Sequence, residues 1–151
     1  MNINFIDSVF FVYMFLGLYM LSLQLFLLIK NREKLFSYPK AKLEPVSIIV
    51  PCYNEAETIG RTIDSLLNLD YPKNMIEIIV VDDHSKDNSA KVIQKYVNKY
   101  SNVILIVNKR NSGGAAEPTN IGIKAAKYDY IAVTDADSSP ERDALGKMIG
   151  F

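Results

Sequence analysis

The sequence predicts an α/β domain built on a mostly parallel sheet and preceded by one transmembrane helix. Three observations carry that expectation. Four short, β-branched runs begin at Val46, Ile76, Val103 and Tyr130, each reached through a polar turn and a helical pattern, which is the order of successive βα units. Within the runs the apolar residues are nearly continuous rather than alternating, as required when helices cover both faces of a parallel sheet. At the N-terminus, Val9 to Ile29 carries no charge, and as a helix it is long enough to cross the roughly 30 Å hydrocarbon layer.

The N-terminal run lacks the basic start and small-residue cleavage site of a signal peptide. No Lys or Arg precedes it, whereas Lys30, Arg32, Lys34, Lys40 and Lys42 follow, so the positive-inside rule puts the rest of the chain in the cytosol. The expected organisation is an anchor over 1–30, a juxtamembrane linker over 31–45 with Pro39 and Pro45, and the α/β domain over 46–151. Its first strand, 46–51, gives way to a helix with Ile59, Ile63, Leu66 and Leu67 at helical spacing, closed near Pro72. The second strand, 76–82, leads through the turn-and-cap cluster 83–89 to a helix. That helix sets Ile93, Tyr96, Val97 and Tyr100 on one face and Lys91, Lys95 and Lys99 on the other. The third strand, 103–107, is followed by a glycine-bearing loop over 108–120 and a short helix near 121–127; the fourth, 130–134, ends at Asp135. Ser138 or Ser139 with Pro140 reads as a helix start, an N-cap hydroxyl followed by proline at the first helical position. The whole is a Rossmann-like pattern.

Composition narrows the function classes. The chain has 151 residues with 17 basic and 17 acidic side chains, and it shows no basic stripe with interleaved aromatics, so nucleic acid is not an expected partner. Cys52 is the only cysteine, which excludes an internal disulfide and fits a packing role in a reducing compartment. His84, alone in the chain, is not expected to ligate a metal. Neither a G-x-G-x-x-G nor a Walker A sequence is present, which removes the main support for dinucleotide binding or P-loop hydrolysis.

In an open parallel sheet, ligands bind beyond the carboxyl ends of the strands, and four polar clusters fall there: 51–55, 82–85, 108–114 and 135–137. Asp135 and Asp137, one residue apart on a turn, suit a hard divalent cation whose remaining positions are filled by phosphate and water. Of Asp82 and Asp83, one is expected to cap the turn while the other faces the rim, where a carboxylate accepts hydrogen bonds from a base or a ribose. Tyr53 offers a face for stacking, and Asn54 with Glu55 offers polar edges, with a helix N-cap as the plainer role for Asn54. Gly113 and Gly114 permit positive φ and close backbone approach to a ligand. Lys109 and Arg110 fit phosphate or open water equally. A phosphoryl-accepting aspartate, at Asp82, Asp83 or Asp135, is the competing strand-end chemistry.

Taken together, 48-IIVPCYNEAETIGRTIDSLL-67, 78-IIVVDDHSKDNS-89, 112-SGGAAEPTNIGIKAA-126 and 131-IAVTDADSSP-140 resemble the family 2 glycosyltransferases. These are inverting enzymes of the A-type, Rossmann-like fold, and they include membrane synthases of polysaccharides. The resemblance implies that Pro51, Tyr53 and Glu55 contact the donor nucleoside and that Asp83 meets the base. It further implies that Asp135 and Asp137 bind donor ribose and diphosphate through Mg²⁺ or Mn²⁺. The implied partners are a UDP- or GDP-sugar, a lipid or glycan acceptor and the membrane. Ala115 stands where many synthases of the family carry lysine after two glycines. The family's acceptor-side base has no counterpart here, so the expectation is a donor-binding half of an incomplete A-type domain. It would be a fragment of a longer protein, or a split or decayed product. The alternative is a non-catalytic remnant that binds a nucleotide sugar or docks on a partner.

Overall fold

The computed structural model describes residues 4–35 and 42–149, which fall into two units. The first is helix α1 (Phe5–Leu35). It is apolar on every side, and among the described residues it alone is long and apolar enough to cross a membrane. The Asn4 N–H donates to Asp7 Oδ2 at 3.1 Å at its start. Residues 36–41 of the expected linker, with Pro39 and Lys40, lie outside the described residues.

The second unit runs β1 (Val46–Cys52), α2 (Ile59–Leu67), β2 (Ile76–Asp82), α3 (Ser89–Lys99), β3 (Val103–Val107), α4 (Ala116–Ala125), β4 (Tyr130–Val133) and α5 (Ala144–Ile149). The strands form one parallel sheet in the order β3-β2-β1-β4. Val46 lies opposite both Ile76 and Tyr130, and the register carries Cys52 to Asp82 and Asp82 to Val107, so the central strands end level with one another. Every residue of β2 is buried, which explains its unbroken apolar run.

Side chains alternate across the sheet. Ile48 and Val50 of β1, with Ile78 and Val80 of β2, pack on Ile59, Ile63 and Ile93 of α2 and α3, and Leu145 of α5 joins the same cluster. The opposite face, with Ile49, is covered by α4, which lies over β1 and β2. Contact there is so close that a Cβ on Gly122 would meet Ile49 Cγ1 at 3.2 Å and Cγ2 well inside van der Waals contact. Two polar residues inside these strands have a structural purpose. Ser47 Oγ donates to Glu77 Oε1 at 2.7 Å, Glu77 Oε1 also accepts from the Lys127 N–H at 2.9 Å, and the Tyr128 N–H donates to Ser47 Oγ at 3.1 Å. Buried polar atoms thereby satisfy one another and fix the turn from α4 into β4.

Two sequence expectations need correction. The helix expected near 121–127 starts at Ala116 and ends at Ala125, because Pro118 sits in its first turn, where a missing N–H has no intrahelical role to lose. Ser138, Ser139 and Pro140 do not start a helix: α5 begins at Ala144, after a turn in which the Ala144 N–H donates to the Glu141 carbonyl at 3.1 Å. Glu141 and Asp143 precede that helix and pair with Lys147 at 3.7 and 2.8 Å.

Gly122→Ala is expected to destabilise the unit by about 1–3 kcal/mol through forced displacement of Ile49. Chemical denaturation of the two chains, compared at equal helix content, measures it.

Candidate functional site

At the carboxyl ends of the strands lies a cleft of about 450 Å³. Pro51, Tyr53 and Glu55 reach it from the end of β1, Asp83 from beyond β2, and Asp135 and Asp137 from beyond β4. The six residues assigned through the family resemblance therefore all line one cavity, whereas Asn54, Asp82, Lys109 and Arg110 do not. Asn111, Gly113, Gly114 and Pro118 close a further side, and Gly113 has the positive φ, +84°, expected of it.

The loop after β1 is held by the loop after β2. Ser85 Oγ accepts from the Asn54 N–H at 2.9 Å, Ser89 Oγ from the Glu55 N–H at 2.8 Å, and Asp87 Oδ2 from the Ala56 N–H at 3.0 Å. In return, Asn54 Oδ1 accepts from the Lys86 N–H at 2.8 Å. Asn54 is thus not a helix N-cap. It adopts φ +56°, a left-handed conformation that asparagine tolerates better than most side chains, and its amide serves the opposite loop. Burial works against the charge on Asp87, but hydrogen bonds from Ser89 and Ala56 outweigh it and hold the carboxyl below its usual range.

The adjacent aspartates divide as expected. Asp82 is buried and accepts from the Ser85 N–H at 3.3 Å and from the Ser85 hydroxyl, so it caps the turn. That engagement leaves it poorly placed as a phosphoryl acceptor. Asp83 faces the cleft, and its carboxylate is fixed by Asn108 Nδ2 at 2.7 Å and by the Ser112 N–H and hydroxyl at 2.8 and 2.7 Å. Burial opposes ionisation of Asp83, yet the Ser112 and Asn108 hydrogen bonds prevail and keep its carboxyl below the usual value. Asn108 and Ser112, which sequence reasoning placed only on a rim loop, are therefore what orients Asp83.

Asp135 and Asp137 are exposed on either side of buried Ala136. Among the described residues neither carboxylate is taken up by a hydrogen bond or an ion pair, and no cluster of three or more potential metal-ligating His, Cys, Asp or Glu side chains exists. Two free carboxylates suit Mg²⁺ or Mn²⁺ when a bound phosphate completes the shell, whereas they would be a poor closed cage. Among the described residues no Lys, Arg or His lines the cleft; Lys109 and Arg110 lie outside its lining. Cys52 also borders it, but burial, with Asp82 nearby, pushes its thiol up to about 12, so it packs rather than reacts.

A parallel α/β sheet with a carboxylate-lined cleft at its carboxyl rim is an open α/β domain with its ligand position at the strand ends. Residues 47–151 match the family model for glycosyl transferase family 2, and the chain belongs to that family. It is 42% identical over 106 residues to a poly(ribitol-phosphate) beta-glucosyltransferase of Bacillus spizizenii, covering 70% of this chain and 17% of that protein. The crystal structure of S. aureus TarS 1–349 in complex with UDP-GlcNAc superposes with a TM-score of 0.65 at 34% identity, covering 69% of this chain and 30% of that one. The mannosyltransferase PcManGT from Pyrobaculum calidifontis, in complex with GDP-Man and Mn²⁺, gives a TM-score of 0.70 at 25% identity, over 83% of this chain and 39% of that one. The chain thus spans well under half the length of these relatives, and the fold is the A-type glycosyltransferase fold.

Ser112→Ala removes one of the donors that depress the Asp83 pKa. A depressed carboxyl contributes stability that is present above the ordinary carboxylate range and is lost as pH falls through its folded-state value. The variant is therefore less stable at neutral pH, its Asp83 titrates at higher pH, and the gap to wild type closes in acid. A carboxyl-carbon NMR titration of Asp83 reads the midpoint, and an unmoved midpoint contradicts this account.

Proposed function

We propose that this chain carries the donor-binding part of a membrane-anchored, inverting glycosyltransferase. It takes a sugar from a UDP- or GDP-sugar and serves its transfer to a glycan or lipid acceptor. The observation that carries the reading is the cleft itself, where an aromatic face, an oriented Asp83 and two unpaired carboxylates meet and, among the described residues, no cationic side chain joins them. The named ligands of the similar structures, UDP-GlcNAc in one and GDP-Man with Mn²⁺ in the other, support it.

On this reading Tyr53 stacks on the base, with Pro51 and Glu55 bordering the nucleoside. Asp83, held ionised, accepts an N–H of the base. Asp135 lies toward the ribose and diphosphate, and together with Asp137 it holds Mg²⁺ or Mn²⁺. The ion's contribution, when bound, is to neutralise charge on the departing nucleoside diphosphate. The base that deprotonates the acceptor hydroxyl is not assigned to a residue described here. Helix α1 spans the bilayer, with Lys30 and Arg32 after its apolar stretch marking the cytosolic side, so the cleft meets cytosolic nucleotide sugars.

Calorimetric titration of UDP-GlcNAc and GDP-mannose into the full chain in detergent micelles, with and without Mn²⁺, tests the reading. Binding of one donor is expected only with the ion, and it should weaken at least about tenfold in the Asp135→Ala/Asp137→Ala double variant. A folded wild-type chain that binds neither donor with Mn²⁺ present would sink it.

A further inference from the structure

Helix α2 presents Ile59, Ile63 and Leu66 to the core, yet its buried face also includes a threonine. Thr62 is only 1% exposed and does not line the cleft. Its hydroxyl donates to the carbonyl of Ala136 at 2.8 Å, across 74 positions of sequence. Ala136 is the middle residue between the two unpaired carboxylates. On its amino side the Thr134 N–H donates to the Ile49 carbonyl at 3.0 Å, continuing the β4–β1 pairing. On its carboxyl side the Ser138 N–H donates to the Asp135 carbonyl at 3.2 Å, closing a turn. Further on, the Asp70 N–H donates to the Arg142 carbonyl at 2.7 Å, and Arg142 Nη2 meets Asp70 Oδ1 at 2.6 Å. Helix α2, through Thr62, and the loop after it, through Asp70, therefore grip the segment that follows β4. Within Asp135–Ala136–Asp137, Thr62 supplies the hydrogen bond that comes from another element, beside the local turn closed by Ser138.

We propose that Thr62 is a positioning residue for the metal-binding carboxylates. By fixing the Ala136 carbonyl inward, it keeps Ala136 in the core and turns its two neighbours outward, so that Asp135 and Asp137 address one cation. A valine would fill the same space but leave that carbonyl free to rotate, and the carboxylates with it. Supporting groups behind metal ligands commonly alter metal affinity by about 10–100-fold when removed. The proposal rests on the reading of the cleft as a nucleotide-sugar site.

The test compares wild type, Thr62→Val and Thr62→Ser as full chains in detergent micelles. Two quantities are measured: the Mn²⁺ concentration giving half-maximal UDP binding, and the affinity for uridine, which has no phosphate and so reports the base site without the ion. For Thr62→Val the half-maximal Mn²⁺ concentration should rise about tenfold with uridine affinity unchanged, and Thr62→Ser should restore the wild-type value. Equal Mn²⁺ requirements in wild type and Thr62→Val overturn the positioning role, as does a parallel loss of uridine affinity, which a merely structural role would produce. A folded wild type that binds neither UDP nor uridine overturns the reading of the cleft, and the positioning role falls with it. Thermal unfolding is recorded for each chain. If Thr62→Val does not fold, Thr62→Cys, with a weak thiol donor of similar size, takes its place under the same criteria.

Discussion

Three consecutive backbone N–H groups, those of Asn54, Glu55 and Ala56, point out of the sheet where β1 ends, and the rest of the rim depends on how they are satisfied. A loop leaving the middle of a parallel sheet has no neighbouring strand to bond, so its backbone donors take partners from the adjacent loop, and for the part-buried Glu55 N–H a missing partner would be costly. Ser85, Ser89 and Asp87 supply the acceptors from the adjacent loop, and the Asn54 side chain returns the bond to Lys86. Two loops that are separate in sequence thus become one rigid wall. Tyr53 and Glu55 line the cleft from one half of that wall, and Asp83 stands at the base of the other.

The aspartates on this rim fall into two groups by what they touch. Asp82 and Asp87 spend their oxygens on Ser85, Ser89 and Ala56, and Asp83 on Asn108 and Ser112. For Asp83 and Asp87 desolvation is outweighed by these hydrogen bonds, which hold the carboxyls below their usual range. Asp135 and Asp137 accept none of these and stay solvated. Rigid, hydrogen-bonded carboxylates suit recognition of a base with fixed donors, whereas solvated ones are free to surrender water for a cation. The division follows the structure's own chemistry.

Much of this was legible in the sequence because it depends on residue order alone. Val and Ile runs between turn signals read as strands, although only the central β1 and β2 are buried while β3 and β4 at the edges leave Ile104, Val107, Ile131 and Val133 exposed, and polar clusters at the carboxyl ends of parallel strands meet on one rim. What escaped were features set by contacts distant in sequence or by tolerance at helix ends. The segment around Pro118 read as loop, yet the chain from Ala116 onward already belongs to α4, since proline is harmless in a first turn. Ser-Ser-Pro has the composition of a helix start, but the segment after Ala136 is bound to Asp70 through Arg142 and turns first. Thr62 could not be singled out, because a threonine on a buried helix face carries no mark of the carbonyl it will meet. Gly122 is similar: only the proximity of Ile49 shows why no side chain stands there.

Charge balance supplies the last link between this rim and a nucleotide diphosphate. Glu55, Asp83, Asp135 and Asp137 border the cleft, and among the described residues no cationic side chain lines it. Two like charges about 6 Å apart, at an effective dielectric near 20, repel by roughly 3 kcal/mol. A diphosphate entering beside several carboxylates would meet more than one such penalty, and the amides of Gly113 and Gly114 offer only dipoles in return. On the proposed function, Asp135 and Asp137 would hold a divalent cation, whose charge would offset the strongest of these repulsions. Because two carboxylates leave most of the ion's coordination open, the phosphates are needed to complete its shell. On the proposed function, ion and nucleotide therefore bind as one unit, each weak on this rim without the other.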